Sequence, residues 1–216
     1  MRRVRHELNR LAESDERIVT LANTADAVRV DLRADAEALA ARLHEQYGDA
    51  VELLVGNMPY PPSKIPDDFR CPSPRVQPWP SGVTAAFELD DDTVPQGGTA
   101  HGVVTVHNAS DEQFVLEVKS SVLVGWVYDV GEMSTPRGHP GVYFVPVGDG
   151  GSEPTGPRRV LAPGQDTSIG VPVGTASCDP ARGYALAPGD YDVRARVGVP
   201  GRVYLSQPAR LHVTPR

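Results

Sequence analysis

Val103-Val-Thr-Val-His-Asn-Ala-Ser-Asp-Glu-Gln-Phe-Val-Leu-Glu-Val118 is the stretch on which the fold turns. Val104 and Val106 alternate with Thr105 and His107; further on, Phe114, Leu116 and Val118 alternate with Glu117 and Lys119. A side-chain period of two with one apolar face marks half-buried antiparallel strands. Between them, Asn108-Ala-Ser-Asp-Glu-Gln113 supplies short polar side chains that bond their own backbone and tolerate tight bends. The spacing predicts strand, polar turn and strand, paired as a hairpin. It argues a fold and no reaction.

Outward from that stretch, the totals narrow the class. The 216 residues suffice for one large domain or two smaller ones. A composition 40% hydrophobic and 23% charged is that of a globular protein and excludes disorder of the whole chain. With aromatics at only 6%, the core is expected to be aliphatic. A net charge of −7 argues against nucleic acid as the main partner, because phosphate binding needs a basic surface. Only Lys64 and Lys119 are lysines among the basic residues, and Ala, Gly, Pro and Asp are abundant. That usage points to the coding bias of a high-GC bacterial genome. No run of 18 or more apolar residues offers a membrane span. The basic start, Met1-Arg-Arg-Val-Arg-His6, is not followed by the apolar segment of a signal peptide. A cytoplasmic protein is expected, or an extracytoplasmic one if a leader has been trimmed.

Composition changes sharply near residue 57. All 21 prolines lie from Pro59 onward, and of the 21 glycines only Gly48 and Gly56 precede it, which signals a domain boundary. Residues 1–56 predict a small α/β domain of order αββαβ. Val4, Leu8 and Leu11 give residues 3–13 a helical stripe, and Ala36, Leu39, Ala40 and Leu43 do the same for 35–47, with Gly48 placed as C-cap. Strands are expected at 17–22, 27–32 and 51–55. At this size the unit is marginal alone and should pack on a neighbour. Residues 57–81 hold eight prolines and predict an extended linker, with Tyr60, Phe69 and Trp79 clamping it to one or both domains.

From residue 82 to 216 the period is two. Strands are expected at 84–89, 99–108, 113–120, 122–130, 141–147, 158–161, 167–173, 191–197, 202–205 and 209–213. Trp126 is the largest core candidate, its burial contributing about 3 kcal/mol. Short strands at this spacing imply an antiparallel sandwich. Val104-Thr-Val-His-Asn-Ala-Ser-Asp111, Leu161-Ala-Pro-Gly164 and Leu186-Ala-Pro-Gly-Asp-Tyr-Asp-Val-Arg-Ala195 resemble the recurring phrases of bacterial immunoglobulin-like and fibronectin-like sandwiches. The intracellular proteinase inhibitor family of the BsuPI type shares this phrasing, and the resemblance covers residues 83–214. It implies an antiparallel immunoglobulin-like β-sandwich behind the α/β unit, an α+β chain in two parts. It also implies a tyrosine corner at Tyr191, whose hydroxyl would tie a strand start to nearby backbone.

Catalytic signatures are missing from the sequence. It contains no GxSxG, Walker loop, HExxH or dinucleotide fingerprint. His101 and His107 lie six apart on one predicted strand, about 20 Å by strand geometry, too far to share a metal ion. Asp90-Asp91-Asp92 reads as a solvated bend before it reads as a calcium site. Cys71 and Cys178 lack metal-ligand spacing. Two free thiols are favoured in a cytosolic chain; a disulfide between them would close a long loop and contribute about 4–5 kcal/mol. Arg137, His139, Arg158 and Arg159 give the loops 131–141 and 148–159 a locally basic character and are the candidate binding residues. The expectation is a non-enzymatic protein–protein interaction module without cofactor or metal. It would bind another protein through sandwich loops, a sheet edge or the α/β unit. The alternatives are a proteinase inhibitor-like module and an enzyme with a site between the two domains. Oligomeric state is left open.

Overall fold

Breaker-free residues at the front and turn-rich residues behind sort into two units of the computed structural model, which describes residues 2–67, 69, 75–117, 124–133, 136–139, 158–199 and 202–216. In the first, α1 (Arg2–Ala12) and α2 (Glu37–Tyr47) pack on β1 (Ile18–Asn23), β2 (Val28–Leu32), β3 (Val51–Val55) and β4 (Met58–Tyr60). Leu8 of α1 and Leu39, Ala40 and Leu43 of α2 share one buried cluster with Val28, Val30, Leu32, Leu53 and Val55. The sheet runs β1-β2-β3-β4. Because β2 and β3 are parallel, a crossover must join them, and alanine-rich α2 is that crossover. It ends at Gly48, whose N–H donates to the His44 carbonyl. Among the described residues no helix is long and apolar enough to cross a membrane.

Strand β4 lies where the sequence predicts linker. Gly56 and Asn57 have φ of 56° and 74°, and Val55 pairs with Met58 across them. Positive φ at both central residues is the two-residue turn whose twist matches the flanking strands. It returns the chain along β3 and buries Met58 completely.

The second unit contains β5 (Val83–Leu89), β6 (Thr93–Pro95), β7 (Thr99–Asn108), β8 (Phe114–Glu117), β9 (Val124–Asp129) and β10 (Gly138–His139). It continues with β11 (Arg158–Leu161), β12 (Asp166–Gly174), β13 (Ala176–Ser177), β14 (Gly189–Val199), β15 (Arg202–Leu205) and β16 (Ala209–Thr214). Its main sheet is ordered β5-β7-β12-β9-β14-β16-β6, with β10, β13 and β15 attached at the side. β5-β7-β12 and β9-β14-β16 are antiparallel groups, joined by one parallel pair, Val173↔Gly125. Val104, Val106 and Val171 from one group meet Val127, Val193 and Leu211 from the other in a single core, so the sheet curls over itself. The chain is therefore β-rich with some helix. The predicted strand at 141–147 lies outside the described residues. The short strands β6, β10 and β13 have too few residues to show a period.

The opening stretch is not a hairpin. β7 is flanked on both edges by β5 and β12, and β8 pairs instead with β11, Phe114 opposite Leu161. Period two identifies a strand and the face it buries; it does not choose the strand's partner. What turns the chain away is Asn108, a polar residue with no solvent exposure. Its Nδ2 donates to the carbonyls of Glu112 (2.8 Å) and Leu161 (3.1 Å), and its Oδ1 accepts from the Ser110 N–H (3.1 Å) and Oγ (2.6 Å). Its backbone N–H donates to Gln165 and its carbonyl accepts from Gly164, while Ala109 N–H donates to Gly82. Gly82 has φ 80°, and a Cβ there would lie 2.8 Å from the Ser110 nitrogen.

Asn108→Ala leaves buried carbonyls and donors without partners. A loss of about 3 kcal/mol is expected by urea denaturation, against less than about 0.5 kcal/mol for the exposed control Val103→Thr. Equal midpoints for the two variants would contradict the role given to Asn108.

Candidate functional site

Trp79, near the end of the proline-rich connector, begins the site. Its Nε1 donates to the Leu205 carbonyl at 2.7 Å, and its ring stacks on Tyr204 with centroids 4.6 Å apart. Phe114 meets both rings, at 6.1 Å from Trp79 and 6.4 Å from Tyr204. Gln77 N–H donates to Val203, so the connector runs along β15 as an added stretch of backbone pairing. Trp79 clamps the connector to the second unit, while Tyr60 and Phe69 pack on the core of the first.

Beside this aromatic triad lies an open groove of about 600 Å³. One wall is the connector end, Pro80 and Ser81; the other is the turn Ser110–Gln113 that Asn108 holds. Phe114 and Val115, both half-buried, contribute apolar surface over the buried Tyr204 and Val83, and Asp111, Glu112 and Arg202 add exposed charge. Among the described residues no group of three or more His, Cys, Asp or Glu could hold a metal ion.

The residues singled out from sequence lie elsewhere. Arg137 Nε donates to Asp129 Oδ2 at 2.7 Å, its N–H donates to Val127 and its carbonyl accepts from Cys178, so it staples β9 to the β13 region. His139 lies in β10 opposite Ala176. Arg158 and Arg159 are neighbours on β11, and Arg159 Nη1 donates to Thr167 Oγ1 (2.7 Å) and to the Ser168 carbonyl (3.1 Å). The Val173↔Gly125 register puts Val127 level with Thr175, eight residues along from Thr167. Arg137 and Arg159 are therefore about 26 Å apart along the strand direction and do not form one basic site. Cys178 is buried and disulfide-bonded; Cys71 lies outside the described residues. His101 is exposed, and His107 pairs with Asp166 across β7 and β12. Asp91 Oδ1 accepts from Thr93 N–H, which makes the acidic triplet a bend into β6.

Several contacts among the described residues cross from one unit to the other. Tyr184, from the second unit, is buried in the core of the first, and its hydroxyl donates to the Pro59 carbonyl at 3.0 Å. Burial pushes its phenol well above the ordinary value. Gly56 sits so close to the second unit that a Cβ would lie 3.1 Å from that of Ala176. Arg216 reaches across to Asp35, donating to its carbonyl at 2.9 Å.

No family model matches the chain, and no curated protein does. Among solved structures it is similar to a β-glucosidase from Erythrobacter marinus, at 14% identity and a TM-score of 0.35 over 61% of this chain and 15% of that one. It is also similar to a β-glucosidase from Listeria innocua, at 15% identity and a TM-score of 0.33 over 62% of this chain and 16% of that one. The chain thus spans less than a fifth of those enzymes' length, and likeness at that level transfers neither fold nor activity.

Trp79→Ala removes the stack and a hydrogen bond from a half-buried site. A loss of about 3 kcal/mol is expected, with new proteolytic cleavage in 75–81 under native conditions. An unchanged cleavage pattern would mean that the connector is held by other contacts.

Proposed function

We propose that the chain is a non-enzymatic protein-binding module, built on an immunoglobulin-like sandwich, whose groove takes an extended segment of a partner protein. The sandwich reading is supported by the two antiparallel groups that share one core and by Tyr191, whose hydroxyl donates to the Ala187 carbonyl at 2.8 Å. The binding reading is carried by one observation: Phe114 and Tyr204 line a groove whose rim holds Asp111, Glu112 and Arg202. The half-buried Phe114 ring, backed by buried Tyr204, gives contact area at low entropic cost, and charges of both signs fix the direction of an extended chain. The walls are held by Asn108 and Trp79, so little ordering remains for binding to oppose. A site between the units is disfavoured by Tyr184, which occupies that space. A proteinase inhibitor would be one form of the same module.

A photo-crosslinker placed at Ser81 or Glu112 in the native cell is expected to capture one specific protein, with Phe114→Ala reducing capture at least about tenfold. The same probe at exposed Val130 should capture none. Uncrosslinked chain at both groove positions, or equal capture at Val130, would overturn the groove as the binding surface. Inhibition of a serine proteinase by the intact chain would narrow the module to its inhibitor form.

A further inference from the structure

The outer face of β9 and β14 carries charge that the fold does not use. Period two sends Val193, Ala195 and Val197 into the core and turns Asp192, Arg194 and Arg196 the other way. Register places Arg194 opposite Trp126, Asp192 opposite Tyr128, and Arg196 opposite Leu205. Trp126, Tyr128 and Cys178 form a buried cluster here with Leu205 against it, so the two arginines emerge through an apolar, mostly covered surface.

Their donors are largely unspent. Arg194 Nη1 donates to the Ser206 carbonyl at 3.1 Å, but its Nε is buried without a partner. Arg196 Nε is buried and unpartnered as well, and no hydrogen bond or ion pair engages its guanidinium among the described residues. Asp192, the carboxylate on this face, is already committed: Oδ2 accepts from the Gly131 N–H at 2.8 Å, and Oδ1 faces Arg210 at 3.4 Å. A desolvated cation without an acceptor is strongly disfavoured, and burial duly pushes the Arg196 guanidinium below its ordinary value.

We propose that Arg194 and Arg196 form a binding site for a small oxyanion, either phosphate or a carboxylate. Guanidinium forks match both groups in a bidentate manner, and apolar walls strengthen each charge-assisted bond. The anion would accept from both Nη groups of Arg196 and from Arg194 Nη2, which unlike the Nε atoms are not buried. Both side chains keep partial exposure, which gives a small ion a way in. The site is independent of the groove, since Leu205 on this face and Tyr204 in the groove point to opposite sides of β15.

The test titrates the full chain with inorganic phosphate and separately with acetate, holding ionic strength constant with sodium chloride. The NMR signals of the Arg194 and Arg196 Nε–H groups are expected to move saturably with at least one of the two. The anion that moves them assigns the ligand class. Arg196→Met should weaken binding at least about tenfold and still fold, since it removes an uncompensated buried charge. Arg202→Met, in the groove, should bind as the parent does. Signals that move no more with either anion than with chloride would overturn the proposal, as would parental affinity in Arg196→Met.

Discussion

A single buried carboxamide sets the course of the β-rich unit. Asn108 sits at the end of β7 with no exposure, and each of its side-chain polar atoms is used twice. Two donors and a two-bond acceptor on one flat group suit this position, where carbonyls approach from one side and N–H and hydroxyl donors from the other. Left unpaired, any of these groups would carry its full desolvation cost. Paired, they tie three separate segments together: Gly82 through the next residue, Ser110–Glu112 locally, and Leu161–Gln165 across the chain. The chain then leaves the β7 edge and delivers Phe114 to β11 and to the aromatic triad. The groove wall is a consequence of that choice.

The second constraint is size. Roughly sixty residues bury little apolar surface alone, and the front unit meets the shortage by borrowing Tyr184 from its neighbour. Met58 and Tyr60 close the front sheet, and Trp79 closes the far end of the connector.

Local features of the fold were legible in the sequence because they depend on neighbours in the chain. The α2 stripe and its Gly48 cap, β7 at 99–108, β11 at 158–161 and β15 at 202–205 all lie where periodicity puts them. The bond made by Tyr191 was legible through the phrase around it. Partners were not legible, since β7 and β8 look like a hairpin until the buried ends of Asn108 are accounted for. The turn at Gly56-Asn57 did carry a signal, a two-residue glycine-asparagine step between apolar pairs, which the proline-rich composition beyond it obscured. The groove needed Trp79, Phe114 and Tyr204 together, residues far apart in sequence. Of the basic residues picked from loops, Arg137 and Arg159 bond within the fold, and the unspent arginines were in a strand, Arg194 and Arg196, disguised as ordinary outward-facing positions.

Hydrogen exchange of the Asn108 side-chain amide tests the central claim most directly. If this group pins the segments that shape the groove, its Nδ2 protons should exchange only through global unfolding, with the same protection as the Val104 and Val106 backbone amides. Exchange through local opening, at far lower protection than those core amides, would contradict the account.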